Sequence, residues 1–586
     1  MMRNFKRLIG PALIAGAITI TAAAVPTADK SHDAALTRNL NIFNDIVREL
    51  EMNYVDSLRP DESMRAAIDA LLSTIDPYTE YYDSSDQEQL QRMTTGEYGG
   101  IGSYIIERNG RSYIAQPMEG APAQLAGLKA GDHILRVDTV DVSQKGSADV
   151  TKLLRGQAGT SVEVTVARPY VTDSIVTVNI ERRKLQEPSV PYYTVKGNTG
   201  YIRLTGFIDK SPLEVRTALE EFKKDPRVKN IVLDLRGNGG GLIESAIDIV
   251  SNFVPKGTEV VRTRYRDASN EKTYKTTREP LFPDIPLAVL IDGGTASSSE
   301  ITAGALQDLD RAVLVGNRSF GKGLVQSTRP LPFSGLLKIT VAKYYIPSGR
   351  LVQALDYSHR NPDGSVARVP DSLTNVFHTA GGREVRDGGG LRPDTTINWG
   401  QPTRIVYNIV RDNWAFDYAT KFAAEHPSIA RGEEFVISDS VYADFKKSID
   451  PTRFKYDKAC EEMISTLRTT AEAEGYMNPE VKARIDTLAT LLTHNLDKDL
   501  DTHRKQIEEY LGAEIVSRYY YEAGKTAYEL QTDKAFATAV DILENPELYN
   551  SILHPGTATT GKGKGTPEKG AAGKAKSKAK GPAGKK

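Results

Sequence analysis

The sequence predicts a multidomain α+β protein: a helical N-terminal arm, a small β-rich module, an alternating α/β core and a helical C-terminal domain. Three observations predict it. At 586 residues the chain exceeds what one hydrophobic core can hold. Between Lys184 and about Gly400, short apolar runs alternate with amphipathic ones, the pattern of an α/β layer. On either side, from Asp33 to about Gln91 and from about Gln401 onward, apolar residues recur at helical spacing.

Arg3, Lys6 and Arg7 precede an uncharged apolar stretch, Leu8 to Ala24, in which Ala22 and Ala24 suit an A-x-A cleavage site. The pattern predicts export. The segment is either cleaved or kept as an envelope anchor, although it is shorter and richer in alanine than the roughly 20 apolar residues of a span. Residues 1–30 are therefore set apart from the fold. Residues 31–92 form the arm. Leu40, Ile42, Phe43, Ile46, Val47 and Leu50 share helical spacing, and Met64 to Ile75 repeats it, as in a helical cap or dimerisation arm.

Residues 93–183 change character. Gly99-Gly-Ile-Gly102 opens a series of short β runs, Ser103–Ile106 and Ser112–Ala115. Ala121–Ala126 reads as a short helix closed by Gly127, Ile134–Val137 as a strand, Asp149–Leu154 as a helix and Ser161–Val166 as a strand. This order resembles a PDZ domain, and its best marker is Gly-Ala-Pro-Ala-x-x-Ala-Gly-Leu-x-x-Gly-Asp from Gly120 to Asp132. The resemblance puts Gly99, Gly100, Ile101 and Gly102 where PDZ domains hold a peptide's terminal carboxylate. Successive backbone N–H groups would make the nest, and the peptide would add as a strand to an open edge.

Residues 184–400 carry the alternation. Thr199–Leu204, Ile231–Leu235, Leu287–Ile291 and Ile339–Tyr345 read as strands, and Pro212–Lys224 and Ile243–Val254 as helices. Residues 401–555 are helical and charged, with Asp444–Ile449, Tyr456–Glu474, Pro479–Leu496 and Asp501–Leu530 the clearest segments. Arg518-Tyr-Tyr-Tyr-Glu522 reads as helix packing there. After Pro555 the composition cannot bury apolar surface, so residues 556–586 are expected to be a disordered tail. That tail holds nine lysines and one glutamate, a local +8 against a formal net charge of -1 for the whole chain. The balance gives no argument for a nucleic-acid partner, whereas the tail suits contact with an anionic envelope surface as well as plain solvation. Cys460 is the only cysteine, so no internal disulfide forms. No metal-ligand spacing such as His-Glu-x-x-His is present, and neither metal nor cofactor is expected.

Two glycine-rich runs imitate nucleotide sites. Gly316-x-x-x-x-Gly321-Lys322 follows an apolar run as a P-loop does, but Gly323 stands where a Ser or Thr must hold Mg²⁺, and the next residues read as a strand. Gly237-x-Gly239 fails the dinucleotide fingerprint because Leu242 occupies the third glycine position.

The chemistry gathers between Asp292 and Gln326. Ser297-x-x-Glu300 fits a capping box, so Ser297 begins a helix, close to unpaired backbone N–H groups and the positive end of the dipole. A serine nucleophile still needs a base, and none of the eight histidines lies in a glycine-rich loop that looks like a site. Lys322, between two glycines, can serve if it is neutral. An unperturbed lysine at about 10.4 is almost fully protonated at pH 7, and burial beside apolar groups such as Phe320 favours the neutral amine.

In order and spacing, Gly294-Thr-Ala-Ser297-x-Ser-Glu300, Ala303-Gly-Ala-Leu-Gln-Asp308, Arg311-Ala312 and Phe320-Gly-Lys322-Gly-x-Val-Gln326 resemble the C-terminal processing peptidases, PDZ-containing Ser–Lys endopeptidases of the S41 type. Asp234-Leu-Arg-Gly-Asn-Gly-Gly-Gly241, Tyr344-Tyr-x-Pro-Ser-Gly-Arg350 and Asp76-Pro77 do so too, and the resemblance spans about Asp33 to Gly400. It implies Ser297 as nucleophile, Lys322 as general base and Gln326 as the residue orienting the lysine. It also implies an oxyanion hole from Ser298 N–H and a glycine N–H at Gly239 or Gly240. Substrates would be exported or envelope proteins with accessible C-termini, captured through the PDZ domain. Self-association as a homodimer would use the N- or C-terminal helical regions. The rival is a PDZ scaffold or adaptor whose peptidase core is inactive.

Overall fold

The computed structural model describes residues 30–555 except 85, 87–94, 173, 268, 362, 401 and 456–458. The N-terminal segment expected to direct export, and the basic tail, lie outside the described residues. The chain divides into two units, residues 1–77 and residues 78–586.

In the first unit, helices span Lys30–Asn53 and Pro60–Ser73. Leu36, Leu40, Phe43, Ile46 and Leu50 make an apolar stripe along the longer one and are 44–56% exposed.

The second unit is built around a six-stranded sheet in the order Tyr192–Lys196, Thr199–Arg203, Asn230–Asp234, Leu287–Ile291, Val313–Gly316, Thr395–Thr396. The first pair is antiparallel and the rest are parallel. Alternate residues of each strand face opposite layers. Ile231, Leu233, Leu287, Val289 and Leu314 pack among Ser211–Lys224, Ile243–Val250 and Ser298–Asp308. Val232, Ala288, Leu290, Val313 and Val315 pack among residues of Lys534–Leu543 and Pro546–Leu553. The last two helices therefore cover the second face of this sheet, although sequence reading placed them in a separate helical domain. A mostly parallel sheet needs both faces covered, and these strands are apolar on both.

In a second, five-stranded sheet, Glu271–Lys275 pairs with Glu259–Tyr265, and Leu336–Tyr345 pairs with Leu324–Pro330, Glu259–Tyr265 and Glu80–Tyr82. The last strand corrects the expectation of helix at Glu80–Tyr82, while residues 87–91 of that expectation lie outside the described residues. Its paired tyrosines suit a half-buried strand better than a helix.

The PDZ module is a sheet in the order Ser103–Arg108, Arg111–Pro117, His133–Val137, Ser161–Ala167, Ile175–Glu181, with helices Pro122–Leu125 and Ser147–Leu154. Gly99 and Gly100 lie in a strand, Glu97–Gly100, paired with Arg183–Gln186 rather than in the loop itself. The helical region packs its own core from Ile405 to Val516. It grips the PDZ module through Arg108, whose guanidinium bonds both Asp417 oxygens at 2.6 and 2.7 Å and lies against the Tyr113 and Phe416 rings. In the Arg504–Glu529 helix, Tyr519 and Tyr520 donate their hydroxyls to the carbonyls of His426 and Ile429, so this tyrosine run packs helices together.

Candidate active site

Strand Leu287–Ile291 delivers the chain into the Asp292–Ser297 turn, and helix Ser298–Asp308 leaves it fully buried. Ser297 sits at the junction with φ 55° and ψ −118°. Such a conformation costs a non-glycine residue about 1–3 kcal/mol and persists only where its surroundings impose it. Ser297 N–H donates to Glu300 Oε2 at 3.0 Å, and Ser297 C=O accepts from Ile301 N and from the Tyr344 hydroxyl at 3.2 Å.

The three consecutive serines have separate environments. Ser298 Oγ donates to Gly241 C=O at 2.7 Å and Ser299 Oγ to Asn238 C=O at 2.9 Å, and both residues are fully buried. Ser297 alone of the three is partly exposed. The two buried hydroxyls tie the Arg236–Gly241 loop to the serine turn. Ala296 N–H donating to Asn238 C=O and Thr295 Oγ1 to Leu235 C=O complete the seam. At Gly240, φ is +94°, and a Cβ would lie 2.7 Å from Ala296 C=O and 2.8 Å from Ser297 Cβ. Only glycine allows that approach. Gly240 N–H is held by Asn238 Oδ1 at 2.9 Å. Among the described residues no acceptor is recorded for the N–H of Gly239 or of Ser298.

Lys322 lies in the loop between strands Val313–Gly316 and Leu324–Pro330. Its backbone N–H donates to Glu300 Oε2 at 2.8 Å, and Gly321 N–H to Glu300 Oε1 at 2.8 Å. Ser319 Oγ donates to Oε1 at 2.5 Å. Gly321 and Gly323 let this loop press against Ala354 and Gln353: at Gly321, with φ +89°, a Cβ would meet Ala354 Cβ at 2.4 Å. The ring facing Lys322 Nζ is Tyr78, with its centroid 4.3 Å away, and Tyr78 meets Tyr357 edge to face at 6.0 Å. A ring face favours the ammonium form. Phe320, the apolar neighbour suggested by the sequence, is 41% exposed. Gln326 pairs with Thr340 across the second sheet, and its Nε2 donates to Thr340 Oγ1 at 3.2 Å.

Glu300 was legible in the sequence only as a helix cap. In the fold it is fully buried and its carboxylate joins the serine turn to the lysine loop. Burial pushes its carboxyl up to about 7, against the opposing bonds from Ser319, Lys322, Gly321 and Ser297. The same burial, with Glu300 close by, raises the Tyr344 phenol well above its ordinary range.

In the PDZ module, among the described residues Ser103–Arg108 pairs only with Arg111–Pro117, which leaves its other edge without a strand partner there, beside helix Ser147–Leu154. A cavity of about 160 Å³ lies there, lined by Gly100, Ile101, Gly102, Ile105, Leu154 and Arg155 among others. Ile101 and Gly102 offer backbone N–H groups for which no acceptor is recorded among the described residues. Gly99 is not in this lining.

Comparison with known proteins gives three family matches. Residues 198–358 match peptidase family S41, residues 113–168 match a PDZ domain, and residues 405–543 match the C-terminal helical domain of probable PDZ-proteases. A carboxy-terminal-processing protease of Bartonella bacilliformis is 32% identical over 390 residues, covering 66% of this chain and 88% of the relative. A probable CtpA-like serine protease of Staphylococcus aureus is 32% identical over 353 residues, covering 59% of this chain and 69% of the relative. A solved structure of the photosystem II D1 C-terminal processing protease is 28% identical, over 60% of this chain and 85% of that one, with a TM-score of 0.34.

Proposed function

Because this chain belongs to peptidase family S41, the family of the carboxy-terminal-processing proteases, we propose that it cleaves proteins near their C-termini with a Ser297–Lys322 dyad. The serine-type peptidase assignment follows from the family; the dyad is our reading. One observation carries it: Ser297 N–H and Lys322 N–H, 25 positions apart in the chain, donate to the same oxygen of Glu300. Two backbone segments that bear a hydroxyl and an amine are thus fixed to one buried anchor.

In this reading neutral Lys322 takes the Ser297 proton as Oγ attacks the scissile carbonyl. Ser298 N–H and Gly239 N–H receive the oxyanion, while Gly240, its own N–H engaged, provides the close approach. Protonated Lys322 gives its proton to the leaving amine, and water then hydrolyses the acyl-enzyme. Substrate entry displaces Tyr78 from the amine and so favours the neutral base. Gln326 acts on the lysine once it turns from Thr340. The open PDZ edge and the N–H groups of Ile101 and Gly102 capture the substrate's terminal carboxylate. The protein works in the bacterial envelope, exported by its N-terminal segment. It self-associates through a helical region, and the exposed stripe of Lys30–Asn53 supports the N-terminal one.

The test is turnover of an unstructured peptide by purified protein. Ser297→Ala and Lys322→Ala should each abolish cleavage while the peptide's C-terminus still binds. A Ser297→Ala protein that still cleaves refutes the dyad. Wild-type protein that binds the tail without cleaving it returns the scaffold reading instead.

A further inference from the structure

The first glycine of the Arg236–Gly241 loop follows an arginine that is held from two sides. Asp234, fully buried, accepts from Arg236 N, Nε and Nη2 at 3.0, 2.9 and 2.5 Å. The same Nη2 donates to Asp533 Oδ2 at 2.5 Å, across 297 positions of sequence. The pair is well shielded: the side chains are 13% and 9% exposed. Asp533 uses its other oxygen to cap helix Lys534–Leu543, accepting from Ala535 N–H at 2.8 Å and Phe536 N–H at 3.0 Å. Phe536 meets the Tyr201 ring edge to face at 5.5 Å, and the Tyr201 hydroxyl donates to Asp234 at 2.6 Å. A closed ring of contacts results, Asp533 to Arg236 to Asp234 to Tyr201 to Phe536, and it returns to the helix that Asp533 caps.

We propose that Asp533 is a positioning residue for catalysis: through Arg236 it fixes the entry of the glycine loop and hence the Gly239 N–H of the oxyanion hole. This rests on the Ser297–Lys322 reading above. The far end of the loop is already held, by Ser298 on Gly241 and by Phe207 N–H on Gly240 C=O at 3.1 Å. Gly237 N–H is held by Asp292 Oδ1 at 2.9 Å. Of these anchors, the Arg236 guanidinium at the entry is the one that also takes a partner from the C-terminal region. The helices that finish the core sheet thereby also set the geometry of its reactive loop. Other charges face Arg236 here: Arg203, which shares Asp234 with it, and Glu529, whose carboxyl burial raises. Neither caps the helix, so neither reproduces the Asp533 link.

Asp533→Asn and Asp533→Ser both keep a capping oxygen and remove the carboxylate partner of Arg236. An oxyanion donor acts on the transition state, so its misplacement lowers kcat and leaves KM in place. The expected result is a kcat about 10-fold lower for both variants, a fraction of the 10²–10³ that complete loss of a donor costs. KM should hold within about 2-fold, and a peptide aldehyde that mimics the tetrahedral intermediate should weaken by the same factor as kcat. Peptide affinity measured in the Ser297→Ala background should not change. A wild-type kcat in both variants, or equal losses in peptide and aldehyde affinity, overturns the proposal. Turnover surviving in Ser297→Ala overturns the parent reading instead, whatever the Asp533 variants do.

Discussion

Replacing Glu300 by glutamine and by alanine separates its charge from its tether. A glutamine keeps one acceptor oxygen and turns the other position into a donor. Of the four partners, only the Ser319 hydroxyl can itself accept, so the amide nitrogen settles toward Ser319 and Gly321. Gly321 N–H then loses its acceptor, at about 1–3 kcal/mol. The carbonyl stays on Ser297 N–H and Lys322 N–H, and the tether survives. Neutrality offsets part of the loss: a carboxyl held at about 7 instead of 4.5 costs its ionised form roughly 3 kcal/mol above pH 7. The sign is fixed. The raised carboxyl contributes stability fully present below 4.5 and lost as pH rises through about 7. Wild type is therefore favoured relative to Glu300→Gln at the acid end of that window, and the advantage shrinks toward neutrality. Alanine also unpairs Ser297 N–H and Lys322 N–H, which makes it about 2–6 kcal/mol less stable than the glutamine variant. Denaturant unfolding across pH 4.5–8 reads the stabilities, and steady-state cleavage of a fluorogenic peptide reads the tether. Glutamine should retain kcat within about 10-fold, and alanine should lose about 100-fold or more, as a misplacement of an ångström can. Equal inactivation of the two variants would refute the tether and assign the effect to charge.

Two further outcomes follow from the same contacts. Gly240→Ala should lower kcat by about 100-fold without removing any polar partner, because its methyl would press on Ala296 C=O and Ser297 Cβ; peptide affinity checks that binding persists. Burial raises the Asp234 carboxyl, but Arg236, Arg203 and Tyr201 outweigh it and bring the group to about 2. Its contribution, about 2 kcal/mol, is present above the ordinary 3.8 and lost as pH falls through about 2, so Asp234→Asn should flatten the acid limb of an unfolding profile over that window.

Local pattern carried much of this fold. Helical spacing marked Lys30–Asn53, and apolar runs marked the core strands Leu287–Ile291 and Asn230–Asp234. Gly323 in place of a Mg²⁺-binding hydroxyl argued against a P-loop, and Leu324–Pro330 is a strand rather than the helix such a loop requires. What stayed hidden depends on partners far along the chain. Ser298 and Ser299 look as reactive as Ser297 until Gly241 and Asn238 arrive to occupy them. Glu300 reads as a cap because its bond to Ser297 is local, whereas its bonds to Gly321 and Lys322 span 21 and 22 positions and reach the loop after the neighbouring strand. Lys534–Leu543 has the amphipathic look of any surface helix, and nothing in its own residues names the sheet it covers. Tyr78, rather than Phe320, faces Lys322, because a strand expected to be helix brings it there.

A fluorophosphonate that reacts with activated serines, followed by intact-mass measurement and peptide mapping, shows whether Ser297 is the nucleophile and Lys322 its base. One adduct per chain is expected, on Ser297. Labelling should be at least about 100-fold slower in Lys322→Ala, the low end of what a general base contributes. An adduct on Ser298 or Ser299, or labelling of the Lys322→Ala protein at the wild-type rate, would contradict that assignment.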